Sequence, residues 1–464
     1  MKIIRNKDLN RIVKNGSLYI FGNIFNKAIA FITVPIFTRL LTKEQYGIVN
    51  TYSSWVSIVA VIIGLSMGQT IRNAFVDMRE DLGRYISSMF TLAGINFGIL
   101  FLLGICIGNN ISIDKPLIIL CLLESLSNFI INSLLMKYIM EEEAVKRTLL
   151  MILPNLLGAI LSVVLIMNMQ EDRQYGRIFG TCLSTTVLGV GIFIYYLSKY
   201  RTFIDCKIYR YILPLSIPLV LHGLACNILG TFDRTVITYY KGSSETGVYS
   251  LIYNLSMVAS VVVSSAESVW IPKMTKCMLE KNYEKTNRDI ILYVYIVTFA
   301  FCGLLVIAPE LVLILGGKDY LSGLNMVFPI VGASYVMFIY SIYVNVEYFY
   351  KKTKIIALGT FVAAGANLVL NFVFIPKWGA MAAAYTTLVS YALSMILHMI
   401  NAHKIDAQYF PIKNIFVFIG IFVATGVISN ITSNMILIRY FIMITLGTIY
   451  FIVGNRKFRR VFVI

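Results

Sequence analysis

Charge is scarce in this 464-residue chain: Asp, Glu, Lys and Arg together make 14%, against 58% hydrophobic residues. A soluble protein of this length could not cover so much apolar surface, so a water-soluble globular fold is excluded. Acid is scarcer still. Forty Lys and Arg stand against 23 Asp and Glu, a formal net charge of +17. In a soluble protein that excess would suggest nucleic acid. In an apolar chain it is what cytoplasmic loops carry to set insertion orientation, and no nucleic-acid partner is expected. The three histidines (His222, His398, His403) show no metal-ligand spacing. The seven cysteines show no paired spacing, five lying in apolar runs and Cys206 and Cys277 in loops, so neither a metal motif nor a disulfide framework is encoded. There is no P-loop, which excludes ATP hydrolysis by this chain, and Gly316-Gly317 lies in a short outer loop without phosphate-binding context. No cofactor is expected. The ten-residue alternation of a membrane barrel strand is absent. So is a cleavable signal peptide, because the basic N-terminus leads into a run long enough to span.

Long hydrophobic runs are what the chain does have, with a mean hydropathy of +0.77. A span takes about 20 apolar residues as a helix, and the backbone in lipid must satisfy its own hydrogen bonds. Fourteen segments qualify: 17–41, 47–68, 85–107, 116–136, 148–167, 176–197, 212–240, 246–269, 290–315, 327–350, 355–375, 379–400, 413–431 and 438–454. The expected class is an all-α polytopic membrane protein. The cations test this division. With the N-terminus inside, the cytoplasmic segments hold 29 Lys and Arg, at least two in each. The outer loops and helix ends hold ten, never more than two together: Arg39, Lys43, Lys115, Arg173, Arg177, Arg234, Lys241, Lys318, Lys377 and Arg439. Both termini are therefore placed in the cytoplasm. Every loop is short. The longest, around Pro272 to Asp289, is cytoplasmic, charged and expected to be helical. Any chemistry must take place within the helix bundle.

An internal repeat is visible. The first helix ends Phe37-Thr38-Arg39 and the seventh Phe232-Asp233-Arg234; twelve residues before each Arg stand Lys27 and His222. Both are followed by a short outer loop and a helix opening on glycine, at Gly47 and Gly247. Six helices separate the copies, so both have the same orientation, as in lobes related by an axis along the membrane normal. The expected division is 1–200, a six-helix lobe; 201–404, a second; and 405–464, two further helices and a basic tail.

Lys27 is the one cation in the middle of a run. A lysine there costs roughly 2.5–3.5 kcal/mol on insertion scales and normally faces a bundle interior or wet cavity; at this depth it cannot easily snorkel. Asn23, Asn26, Lys27, Ala30 and Thr33 recur at helical spacing and form one small, polar face. The bland alternative is a structural Lys paired with an acid. His222, Cys226, Gly230 and Asp233 form a comparable face on the seventh helix, where His222 is read equally as a core histidine. Pro35, Pro214 and Pro218 can kink these two helices. Arg72 sits at the cytoplasmic end of the second helix, where topology alone would place a cation. Glu124, Glu267 and Glu347 lie within or near apolar runs, each a candidate ion-coupling site or partner for Lys27, and Asp233 joins them.

The stretch Val34-Pro35-Ile36-Phe37-Thr38-Arg39-Leu40-Leu41, with Glu44-Gln45-Tyr46-Gly47, resembles the first hairpin of Wzx-type polysaccharide-biosynthesis flippases. These O-antigen and capsule exporters belong to the multidrug/oligosaccharidyl-lipid/polysaccharide exporter superfamily. Asp233-Arg234 with Gly247-Val-Tyr, and Gly379-Ala-Met-Ala-Ala-Ala-Tyr, resemble the same family. The resemblance implies two six-helix lobes around a central cationic cavity, open alternately to either side, with the last two helices packed outside. It implies a bacterial plasma-membrane transporter, not an enzyme, acting as a monomer. The implied substrate is an oligosaccharide on undecaprenyl diphosphate, with membrane lipid, polysaccharide polymerase and chain-length machinery as further partners. Lys27, Arg39 and Arg234, with Arg72, His222, Asn23 and Asn26, are then the substrate-binding candidates.

Two other classes fit less well. A multidrug extrusion antiporter would place acids, not a lysine, in the first helix, although Glu267 and Asp233 keep it open. A membrane polymerase or ligase would need a larger outer loop to hold its acceptor.

Overall fold

A computed structural model describes residues 6–108, 115–408, 412–433 and 435–458. The outermost basic residues, Lys2, Arg5, Arg459 and Arg460, lie outside them. The described residues form sixteen α-helices and no strand. They are α1 (Asn6–Leu40), α2 (Lys43–Gly64), α3 (Ile71–Asp77), α4 (Leu82–Gly108), α5 (Lys115–Met140), α6 (Ala144–Met167), α7 (Arg173–Tyr200) and α8 (Cys206–Asn227). There follow α9 (Asp233–Lys241), α10 (Ser243–Tyr253), α11 (Leu255–Leu279), α12 (Tyr283–Gly316), α13 (Val327–Phe349), α14 (Thr353–Ile405), α15 (Ile412–Ile431) and α16 (Ile436–Phe458).

Among the described residues, eleven helical stretches are long and apolar enough to cross a membrane. One of them, α14, is 53 residues long and turns at Gly379, whose φ of 62° and ψ of −146° interrupt the helix. It is therefore two spans joined at the glycine of the Gly379-Ala-Met motif. With that hairpin counted as two and the shorter apolar helices Ile415–Ile431 and Ile436–Thr448 added, all fourteen expected segments are present. The helix ends follow local chemistry. Thr42 and Gln45 form a capping box at the start of α2. The Asp205 carboxylate accepts from the backbone of Lys207 and Ile208 at the start of α8, and Asn282 caps α12. The charged stretch after Pro272 is helical, as α11 runs on to Leu279 and α12 begins at Tyr283. Cys277, expected in a loop, is buried in α11.

Two compact units divide the chain: Met1–Thr238 with Gly242–Gly247, and Tyr239–Lys241 with Val248–Ile464. In the first, α8 packs on α2 and α4, so it shares a unit with α1–α7. Its apolar core runs through Ile63, Met67, Tyr85, Met89 and Phe90, and the Phe90 ring meets Phe129, Phe193 and Tyr196. Where α6 crosses α7 the contact is made by small residues: a side chain at Gly180 would strike Ser162, and one at Gly158 would strike Ser184. This is how helices associate where lipid removes the hydrophobic drive. The second unit is held by aromatic stacking. Trp270 lies over Tyr293 at 4.7 Å, Tyr293 meets Phe338, and Phe422 of α15 stacks on Tyr335 of α13 at 4.4 Å. Arg439 anchors α16 to α12, its guanidinium donating to Val306 O and Glu310 Oε2, each at 2.9 Å.

Candidate functional site

The polar face of α1 is met by α6. Gly22 lets Thr148 and Met151 approach. Asn26 Oδ1 accepts from Asn155 Nδ2 at 2.9 Å, and Asn23 Oδ1 from Arg147 Nη2 at 3.3 Å. The Arg147 guanidinium lies 5.2 Å from the centre of the Tyr19 ring, a cation–π contact. Its Nε and Nη1 are buried with no hydrogen-bond partner among the described residues. Lys27, one residue beyond Asn26, is half-buried in the middle of the span. The structure thus brings Asn23, Asn26 and Lys27 together on a helix face shared with a second cation, Arg147.

The arginines of the matched motifs are placed differently. Arg39 is exposed at the end of α1, whereas Phe37 and Thr38 before it are buried. Arg234 is 8% exposed at the start of α9. Its Nη1 donates to Gly230 O at 3.3 Å and lies 3.4 Å from Asp233 Oδ1, which also accepts from the Arg234 amide at 2.8 Å. Asp233 is thereby engaged by its own neighbour. A π-helical turn, Ile228–Phe232, joins α8 to α9; such turns recur at functional sites. His222 is half-buried on α8, its Nε2 3.7 Å from Cys226 Sγ and its Nδ1 buried without a partner among the described residues. Arg72 is exposed, with Nε 3.2 Å from Met136 Sδ.

Glu124 is, with Asp233, a buried acid of the first unit. Tyr52 donates to its Oε2 at 2.8 Å, and the carboxyl interacts electrostatically with Arg177. Arg177 is a residue the sequence assigned to orientation alone. Its guanidinium sits 3.9 Å from the centre of the Phe37 ring, and Nη1 donates to Ser162 Oγ at 3.0 Å. Phe37 of the first motif thus touches Arg177, which links α1 and α6 to the Tyr52–Glu124 pair. The signal was available: residue 177 falls inside the 176–197 run, but its place near the end made it look like a loop cation. Arg147 was hidden in the same way, among the cytoplasmic cations.

Two of the candidate acids belong to the second unit. Glu267 is half-buried and hydrogen-bonded to Ser341. Glu347 has no exposure; His398 Nδ1 lies 2.7 Å from Oε2, and Asn401 Nδ2 donates to Oε1 at 2.6 Å. Within α14, Asn371 donates to Asn367 at 3.0 Å, and Thr386 bonds Asn371. Neither Glu267 nor Glu347 shares a unit with Lys27. Among the described residues no group of His, Cys, Asp and Glu could hold a metal ion.

Comparison with known proteins gives these side chains a context. A model of the polysaccharide biosynthesis protein family matches residues 12–278, more than half of the chain. An Lsg locus protein of Haemophilus influenzae is 22% identical over 379 residues, covering 78% of this chain and 92% of its own length. The capsular polysaccharide biosynthesis protein CapF of Staphylococcus aureus is 23% identical over 405 residues, covering 83% and 98%. Among solved structures, the lipid II flippase MurJ in an inward closed conformation matches with a TM-score of 0.64 at 16% identity, over 96% of this chain and 99% of that one. At that identity the likeness is one of fold alone. The motif at Phe37-Thr38-Arg39, the π turn before Asp233-Arg234 and the opening of α10 all fall inside the matched region, and the chain belongs to the polysaccharide biosynthesis protein family.

Proposed function

We propose that this protein is a flippase. It carries undecaprenyl-diphosphate-linked oligosaccharide repeat units from the cytoplasmic to the outer leaflet of the bacterial plasma membrane by alternating access, for O-antigen, capsule or a similar polymer. The observation that carries this reading is Lys27, a half-buried cation in the middle of the first span of a polysaccharide biosynthesis family member. A diphosphate and a hydrated sugar cannot cross hydrocarbon unaided, because each buried polar group costs several kcal/mol and an unpaired charge far more. A cationic, wet lining replaces that hydration while the prenyl tail stays in lipid. In this reading residues 1–200 and 201–404 are the two rocking lobes, 405–464 the peripheral helices, and both termini are cytoplasmic. Lys27 holds the diphosphate or acidic sugars, with Arg39 and Arg234 as further ligands and Arg72 at the cavity mouth.

Lys27→Glu reverses the charge. It is expected to insert normally, as judged by a fluorescent C-terminal fusion, and to abolish surface polysaccharide in cells that depend on this gene, while Lys27→Arg retains export. Normal polysaccharide from the Glu variant would sink the role of Lys27. A gain of cationic-dye efflux in the wild type over a deletion strain would favour a cation antiporter instead.

A further inference from the structure

In the second unit Glu347 and His398 form a carboxylate–imidazole pair that the substrate reading does not use. Glu347 has 0% and His398 1% exposure, and the two approach to 2.7 Å. Asn401 occupies the other carboxylate oxygen. Among the described residues His398 is the only ionisable cation paired with Glu347. The remaining ring nitrogen, His398 Nε2, is buried with no hydrogen-bond partner among them. It faces Gly359 on the first half of α14, where a Cβ would lie 2.5 Å away.

Three arrangements of protons can be drawn on this pair. A carboxylate with a neutral imidazole leaves a net negative charge buried in a membrane span, which is expensive. An imidazolium with a carboxylate, or a neutral imidazole with a carboxylic acid, is electrically neutral, and both contain one more proton. All three leave Nε2 unsatisfied. A pair kept only as a latch between α13 and α14 would be expected to tie down both ring nitrogens. This one leaves His398 Nε2 open. The exit is short. Glu347 stands two residues before the end of α13, ahead of the basic turn at Lys351, Lys352 and Lys354, and Asn401 four residues before the end of α14. The other titratable groups nearby are Tyr340 against the His398 ring, Tyr343 against His403, and Tyr350, which donates to Asp406 at 2.9 Å. From α12, Tyr283 also bonds Asp406, and from α11, Glu267 faces Ser341.

We infer that Glu347 and His398, with Asn401 orienting the carboxylate, are a proton-binding site whose loading and release are coupled to the movement of α13 against α14. The inference rests on the flippase reading only for what the proton drives. The test uses full-length protein in liposomes, with lipid-linked oligosaccharide extracted from cells lacking the gene as the probe and an impermeant glycan label as the readout. Wild-type flipping is expected to change with an imposed pH difference. Glu347→Gln and His398→Gln are expected to lose that dependence while still equilibrating the probe, and Glu310→Gln, at the Arg439 anchor, to keep it. Dependence that survives in both substituted proteins, or is absent from the wild type, would overturn the inference and leave the flippase reading standing. If the wild type moves no probe, the flippase reading fails, and infrared titration of the protein alone decides the site. A carboxyl band that is missing in Glu347→Gln, or an imidazolium band that is missing in His398→Gln, appearing on acidification supports it; the absence of both refutes it. His398→Gln serves if the Glu347 variant does not fold.

Discussion

Gly47 and Gly247 lie in the first turns of α2 and α10, and in the first unit they meet backbone to backbone. A Cβ on Gly47 would lie 1.8 Å from Ser243 O and 2.9 Å from the Gly247 amide nitrogen; one on Gly247 would lie 2.0 Å from Lys43 O. The contact is reciprocal, since Lys43 and Ser243 each stand four residues before their glycine. The obstructing atoms are main chain, so no side-chain rotation can relieve Gly47→Ala, and the two helix starts must move apart by more than about 1 Å to restore van der Waals contact. Overpacking of this kind typically costs about 1–3 kcal/mol, which is about five- to 150-fold in an equilibrium constant at tenfold per about 1.4 kcal/mol. The separation can be read one turn further along α2, where Thr51 Oγ1 lies 2.7 Å from Thr238 Oγ1 of α9, itself 2.7 Å from Thr246 Oγ1 of α10. In a background lacking the seven native cysteines, Thr51→Cys with Thr238→Cys is expected to cross-link readily, and Gly47→Ala to reduce the yield and lower the unfolding temperature in detergent. Gly98→Ala, on α4 where a Cβ meets nothing within 4 Å, is the control and should be neutral or slightly stabilising. Undiminished cross-linking and unchanged stability in Gly47→Ala would refute the close contact.

Arg177→Met should destabilise the first unit by about 3–5 kcal/mol, the usual effect of leaving a buried charge without its partner. Adding Glu124→Gln should recover part of that loss. Thermal unfolding of the two single variants and the double variant checks this, and simple additivity would show that Glu124 and Arg177 are independent. On topology, a single cysteine at Lys241 should react with an impermeant reagent from outside, and one at Lys281 only after permeabilisation; equal labelling of both would overturn the orientation.

All fourteen spans were legible because hydropathy and cation placement report the same boundaries. The turn within α14 was legible too, since Gly379 opens the second of two apolar runs and takes a backbone conformation, φ 62°, that suits glycine. The candidate site was legible only where a side chain violates the membrane pattern alone. Lys27 stands out on those terms, and so does its stripe with Asn23 and Asn26. Arg147 and Arg177 do not, because cations near helix ends are what orientation already requires; their contacts with Tyr19 and Phe37 depend on which helices pack together. The pairing of Glu347 with His398 and Asn401 joins residues 51 and 54 positions apart on different helices, and no local spacing announces it. Arg234 shows the converse. Its motif was visible, but its engagement by Asp233 and Gly230 depends on the π turn, which sequence periodicity did not reveal.

The most direct test of the central claim is the sidedness of lipid-linked oligosaccharide in cells lacking this gene, probed with a membrane-impermeant glycan label and repeated with the gene restored. Flippase action predicts accumulation on the cytoplasmic leaflet, relieved by the wild type and not by Lys27→Glu. Normal outer-leaflet exposure without the gene, in a strain with no second flippase, would contradict it.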